Sequence, residues 1–364
     1  MSRYARTERV QARGQVDRAL TPALALTAGA ALELEQAGSS YITGSAAQQV
    51  PIERRVAGYF AEVRWRAAAR LFATAGLRVD DILRGAIEGD PLGFSPRDAL
   101  PEDRVVSANP RAAISYYLRT SDASGGNWSR LHAGAGTGIR PPDAFEIAFT
   151  DNPGLKPERS KSLDAGVEQA LSGGLVIIDA TWFLNRYDDL IVAVGRSLQD
   201  FSRYRTDNIA NAQAQGLETS LALRTKRGFE ARASYAFLAT EVLALDNAPG
   251  VAPAPFAVGD RLLRRPRHQV HVDLLWRHRR ATAYLRAGGR SQVIDVEPNW
   301  GASGGLFTAP GFGVADAGVA IHAGRHADVL VRADNLFDRQ YEAVFGYPAP
   351  RRSFTVGVRV AAGR

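Results

Sequence analysis

The 364-residue sequence predicts an all-β chain, a transmembrane antiparallel β-barrel. Three observations predict it. Apolar and polar residues alternate with period two along the whole chain. The alternating runs are about 10 to 15 residues long, where globular strands average about 5 to 6. Connections alternate between short turns and long loops, the pattern of barrels with tight periplasmic turns and longer external loops. A soluble sandwich also alternates; run length and connection pattern decide against it.

Taken in order, a run at roughly 8–20 leads into Leu24, Leu26, Ala28, Ala30, Leu32 and Leu34 on one face, with Thr27, Glu33 and Glu35 opposite. Tyr59, Ala61, Val63 and Trp65 oppose Phe60, Glu62, Arg64 and Arg66; Leu71, Ala73, Ala75, Leu77 and Val79 oppose Arg70, Thr74, Arg78 and Asp80. Runs at 105–119, 128–138 and 161–171 follow. Val176, Ile178, Ala180, Trp182 and Leu184 then oppose Asp179, Thr181 and Asn185, and Leu217, Leu221 and Leu223 oppose Glu218, Ser220 and Arg224. Strands from Phe229 and Val270, runs at 281–293 and 313–322, and a final hairpin ending in Phe354, Val356, Val358 and Val360 complete about 15 strands. Short turns are expected at 171–174, 225–228, 277–280 and 323–325. Long loops are expected at 83–104, 139–159, 243–265, 294–312 and 337–351. The shared phase places Val176, Trp182, Leu221, Tyr235, Val272 and Val356 toward lipid, and Asp179, Glu218, Arg232, Asp273 and Arg359 toward the lumen.

Composition narrows the class. There are no cysteines, hence no disulfide framework and no thiolate metal site. No run of about 18 apolar residues marks a transmembrane helix, and a mean hydropathy of −0.18 is compatible with a barrel, whose every second residue faces the lumen. The net charge is +7, carried almost wholly by arginine, since Lys156, Lys161 and Lys226 are the only lysines. These arginines are scattered over alternating strands, which argues for lumen, loop and lipopolysaccharide contacts and against a nucleic-acid stripe. The first fourteen residues have no apolar core and do not read as a signal peptide.

Three blocks carry a family resemblance. The C-terminal segment holds Asn335, Leu336, Phe337 and Asp338, then Tyr341, then Gly346, Tyr347 and Pro348 before the last strand. Upstream, Arg140 and Pro141 precede Asn152, Pro153, Leu155, Lys156, Pro157 and Glu158. Asn208 and Ala212 precede Gly216 and Glu218. In this order the blocks resemble the barrel of TonB-dependent outer-membrane receptors. The resemblance implies an outer-membrane barrel of about 22 strands with an N-terminal plug. By that resemblance the chain is expected to correspond to the C-terminal portion of the barrel, with plug, TonB box and signal peptide absent. It further implies active uptake of a scarce solute such as an iron-siderophore or cobalamin, as a monomer among lipid and lipopolysaccharide. Coupling to TonB-ExbB-ExbD would run only through the missing plug. A passive or structural pore is the alternative. In the family an aromatic residue ends the last strand; Val360 stands there, so the isolated chain is expected to insert poorly and expose strand edges.

No enzyme and no cofactor is expected, because no catalytic constellation is present. The glycines of 132–138 run into Pro141 and Pro142 rather than a helix, so they do not form a phosphate loop. His268 and His271 point to opposite faces and cannot share a metal; Asp188 and Asp189 read as a solvated pair. Aromatics near strand ends, among them Trp65, Tyr187, Phe229 and Trp276, read as interfacial girdle residues. The loop aromatics Trp300, Phe307, Phe345 and Tyr347 are the ligand-stacking candidates.

Overall fold

A computed structural model describes residues 5–39, 50–89, 99–120, 126–148, 154–195, 204–245, 257–297, 301–324 and 326–360. Their strands are β1 (Ala5–Thr21), β2 (Leu24–Ser39), β3 (Val50–Ala68), β4 (Leu71–Arg84), β5 (Asp103–Arg119), β6 (Trp128–Arg140), β7 (Glu158–Leu171), β8 (Val176–Gly195), β9 (Tyr204–Arg224) and β10 (Phe229–Leu245). They continue as β11 (His268–His278), β12 (Ala281–Arg290), β13 (Val293–Glu297), β14 (Gly301–Ala309), β15 (Phe312–His322), β16 (Ala327–Asp334), β17 (Glu342–Val344), β18 (Tyr347–Pro348) and β19 (Ser353–Val360). One short helix, α1 (Ala144–Ala148), lies between β6 and β7.

Fifteen strands form one sheet in chain order, every neighbour antiparallel, while β13 pairs with β14 and β17 with β18 as hairpins in the loops. Among the described residues no pairing joins β1 to β19, so the sheet is open at both edges. Each short turn joins sequential strands at one end. The turn after β9 depends on Gly228 (φ 81°), where a Cβ would stand 2.2 Å from the Arg277 carbonyl.

Register puts like with like. Ile178 pairs with Leu221, Leu221 with Ala233, Ala233 with Val272, Val272 with Ala287 and Ala287 with Ala315, an apolar row across six strands. Further along, Val319, Val331 and Val356 continue that face. On the other face Arg232, Asp273, Arg286 and Asp316 pair in succession, a ladder of alternating charge. Opposite charges directly across a strand pair attract, and like charges there would repel.

The apolar face is uncovered. Val10 is 67% exposed, Tyr59 61% and Val356 72%, and Leu77, Ile114, Leu131 and Trp182 are exposed to a lesser degree. A monomeric soluble protein rarely leaves more than a few hundred Å² of contiguous apolar surface in water. A sheet-wide band of this kind belongs against lipid, and the charged face then lines the lumen. Arg111 pairs there with Glu62, Arg130 with Glu168, and His132 Nε2 lies 3.2 Å from Asp179.

Several expectations change. The run at 281–293 divides at Arg290, because Val293–Glu297 leaves the wall to pair with Gly301–Ala309; the predicted loop at 294–312 is therefore a hairpin. The loop at 337–351 likewise contains β17 and β18. Tyr187 pairs with Ala212 on the charged face, so it is a lumen residue and not a girdle one; its odd position against Trp182 already required this. Trp65, Phe229 and Trp276 do sit outward beside short turns, Phe229 directly opposite Trp276.

Candidate ligand-facing site

At the long-loop end, segments far apart in sequence interlock. Arg264 Nε donates to Asp295 Oδ1 at 2.6 Å, and the Arg264 amide donates to the Ile294 carbonyl at 2.8 Å. These bonds fasten the segment before β11 to the β13–β14 hairpin. In the second hairpin Phe345 and Gly346 make the turn between β17 and β18, with Gly346 at φ 80° and its amide on Glu342 Oε2 at 2.8 Å. The two hairpins meet through Phe307 and Phe345, whose ring centroids are 4.7 Å apart with a tilt of 58°. Aromatic pairs favour such offset geometry. Arg290 Nη2 donates to the Ala343 carbonyl at 3.3 Å, linking the wall to the second hairpin.

Of the four candidate aromatics, the structure therefore joins Phe307 and Phe345. Tyr347 is 75% exposed on the same small hairpin, and Trp300 lies outside the described residues. Arg290 and Phe312 escaped the sequence reading. The guanidinium of Arg290 lies 4.8 Å over the Phe312 ring, which itself stacks on Tyr341 at 4.4 Å. A basic residue closing one strand and an aromatic opening the next is the signal that would have found the pair.

The motif residues build the loops beneath this site. Asn335 is 6% exposed at φ 49°; its side chain donates to the Arg339 carbonyl at 2.8 Å and the Pro350 carbonyl at 3.1 Å, and accepts the Arg339 amide at 2.8 Å. Its own amide reaches Asp316 Oδ1 at 2.8 Å, the end of the charge ladder. Asp338 receives the Arg351 guanidinium and the Arg352 amide, and these hold its carboxyl well below the usual carboxylate range; Arg351 is raised in turn, chiefly by its hydrogen bond to Asp338. Leu336 donates its amide to the Ala315 carbonyl, and Phe337 projects outward, 77% exposed.

The other blocks behave alike. Arg140 binds Glu158 at 2.6 Å and both oxygens of Glu146 at 2.8 and 2.9 Å. Asp143 and Glu146 exchange amide hydrogen bonds at 2.8 and 2.9 Å, a capping box that starts α1 directly after Pro141 and Pro142. Ile147 of α1 then packs on Ala37, Ile52, Ile87 and Leu100, an apolar cluster on the lumen face. Asn208 joins two blocks: it accepts the Lys156 amide at 2.7 Å and donates to the Lys156 and Asp189 carbonyls at 2.9 and 2.7 Å. Leu155 and Pro157 are buried, whereas Asn152 and Pro153 lie outside the described residues. A Cβ on Gly216 would meet the Phe237 carbonyl at 1.9 Å, and Glu218 stands on the lumen face opposite Thr181.

Histidines and the acidic pair have ordinary partners. His268 Nδ1 meets Tyr235 Oη at 2.8 Å, and His271 Nε2 meets Asp273 at 2.8 Å on the opposite face. Asp188 pairs with Lys161 and Asp189 with Lys156, at 3.2 and 3.5 Å. Among the described residues no group of three metal-ligating side chains occurs.

An uncovered apolar face, a charge-lined opposite face and interlocked outer loops define the class: a wall of a membrane-spanning outer-membrane β-barrel. The β-barrel model of the TonB-dependent receptor-like family matches residues 3–336, and the chain belongs to that family of the Gram-negative outer membrane. The iron-regulated outer membrane virulence protein of Vibrio cholerae is 26% identical over 254 residues, 64% of this chain and 37% of that protein. The ferric-catecholate import receptor Fiu of E. coli K12 superposes with TM-score 0.72 at 13% identity, over 98% of this chain and 55% of that one. The siderophore receptor PiuA of Acinetobacter baumannii gives 0.73 at 12% identity, over 98% and 56%. At those identities the two structures establish fold alone. The chain spans little more than a third of that curated relative and just over half of these receptor structures.

Proposed function

We propose that this chain forms part of the wall and outer vestibule of a receptor that takes up a scarce solute, a metal chelate of the catecholate-siderophore kind first among them and cobalamin second. The supporting observation is the Phe307–Phe345 contact between two loop hairpins, with Arg290 tied to the second of them and Tyr347 exposed beside it. Flat aromatic rings next to guanidinium groups suit an anionic, aromatic chelate, which both can stack and neutralise. Names of structurally similar proteins point the same way. In this reading the two open sheet edges meet further strands of a larger barrel, and energy from TonB-ExbB-ExbD arrives through a plug and TonB box outside these strands. The vestibule binds; nothing in it is assigned a catalytic role.

The test is uptake of radiolabelled ferric catecholate in cells lacking other receptors for it, with the gene expressed in the full form it encodes. Uptake should require the gene and vanish when TonB is deleted. Replacing Phe307 and Phe345 together by alanine should raise the half-saturating concentration about tenfold. Uptake that persists without TonB would establish a passive pore instead.

A further inference from the structure

One patch of the lipid-facing wall carries a hole and a knob side by side. The hole is a cleft of about 450 Å³ at the outer ends of β10, β11, β12 and β15. Its floor is low because Val270 pairs with Gly289 and Gly289 with Gly313, with Ala287 and Ala315 in the row beneath. The knob is Phe337, which stands at the edge of the cleft and is 77% exposed.

The knob is held firmly and level with the hole. Phe337 lies between Asn335 at φ 49° and Asp338 at φ 52°. Three side-chain hydrogen bonds fix Asn335, and Arg351 with the Arg352 amide fixes Asp338. Leu336, the preceding residue, donates its amide to the carbonyl of Ala315, which lines the cleft, so Phe337 sits at the height of the hole. An aromatic ring presented in this way loses little conformational freedom on contact.

Inside a bilayer the hydrophobic effect does not drive association, because lipid tails are as apolar as the protein surface. Close packing is what remains, and small residues permit it. Two copies in one membrane share one orientation, so a two-fold axis between them runs along the membrane normal. Such an axis preserves height and turns the right side of one patch toward the left side of the other. A knob and a hole side by side at one height are therefore complementary to themselves, the condition for an isologous dimer.

We propose that this patch is the interface with a second copy of the chain, Phe337 of each copy seated over Gly289 and Gly313 of the other. The receptor is then a pair, where the family resemblance alone implies a monomer. The interface lies on the lipid side and is independent of the solute vestibule.

The test uses the protein in the form its gene encodes, reconstituted into vesicles of phosphatidylethanolamine and phosphatidylglycerol. Donor and acceptor fluorophores are placed on separate preparations at Lys226→Cys, an exposed turn position in a stretch without native cysteine. Energy transfer between unaltered copies should exceed that of random neighbours at the same surface density, and should fall when unlabelled protein is added. Phe337→Ala removes the knob. Gly313→Leu fills the hole, since a Cβ there meets only the Gly288 carbonyl at 3.9 Å and the longer side chain extends over the floor. Each variant paired with itself loses both contacts, so its dissociation constant should rise about a hundredfold. The two variants mixed keep one intact knob in one intact hole, and the rise should be only about tenfold. That recovery also shows both variants to be folded. Transfer at the random level in the unaltered protein, a measurement that needs no variant, would make the protein a monomer and overturn the proposal. A mixed pair no stronger than either folded variant with itself would overturn the knob-and-hole contact.

Discussion

Arg351 closes on Asp338 thirteen positions earlier in the chain, its Nε donating to Oδ1 at 2.8 Å and its Nη2 to Oδ2, while the Arg352 amide adds a third bond to Oδ1 at 3.0 Å. Asp338 sits at φ 52°, a left-handed position that Asp tolerates better than most residues. The clasp holds together the loop that presents Phe345 and Tyr347.

Because the folded Asp338 is depressed, its contribution to loop order is present above the ordinary aspartate pKa of about 4 and is lost only as pH falls through the lower folded value. Loop cleavage by an acid-tolerant protease should therefore stay flat from neutral pH to about 4 and rise only below it. Asp338→Asn should bring fast tryptic cleavage at Arg339, Arg351 or Arg352 already at neutral pH. A variant as resistant as the parent would show that the clasp does not order the loop.

Asn335 is nearly buried and satisfies three backbone groups at once. Asn335→Ala leaves two carbonyls and an amide without these partners and places alanine at φ 49°. The expected loss is about 1–3 kcal/mol of folding stability. Asn335→Gly keeps the backbone freedom and loses the same hydrogen bonds, so it separates strain from bonding. Urea unfolding of the folded protein in vesicles, followed by tryptophan fluorescence, measures both.

Gly216 and Gly357 should respond oppositely to alanine. At Gly216 the new Cβ would meet the Phe237 carbonyl at 1.9 Å and Phe183 at 2.9 Å, so the β9–β10 ladder must shift. At Gly357 nothing lies within 4 Å. Amide exchange in β9 and β10 should accelerate in Gly216→Ala and stay unchanged in β16 and β19 of Gly357→Ala.

Val331 lies between Val319 and Val356 on the lipid side, near the middle of β16. Val331→Arg should cost about 2–4 kcal/mol near the bilayer midplane. Leu330→Arg, one residue away on the lumen face, should cost far less. Equal losses in the same unfolding measurement would mean that the two faces do not meet different surroundings, and a larger loss for Leu330→Arg that they have been assigned the wrong way round.

What the sequence determined by itself was the wall. Side-chain direction in a strand alternates locally, so the phase that puts Leu221, Val272 and Val356 outward and Asp179, Arg232 and Asp273 inward is written in each run, and a one-residue slip would invert it. The short turns and the count of fifteen wall strands followed from the same periodicity. Tertiary structure decided the rest, because contacts between loops have no period to read. Phe307 and Phe345 meet only because Val293–Glu297 turns away from the wall to pair with β14, and Tyr341 becomes structural only when Phe312 lies against it. The motif residues were recognisable in sequence, but their work was not. Asn208, Asn335 and Arg140 act through carbonyls and carboxylates brought from elsewhere in the chain, and folding alone sets those distances.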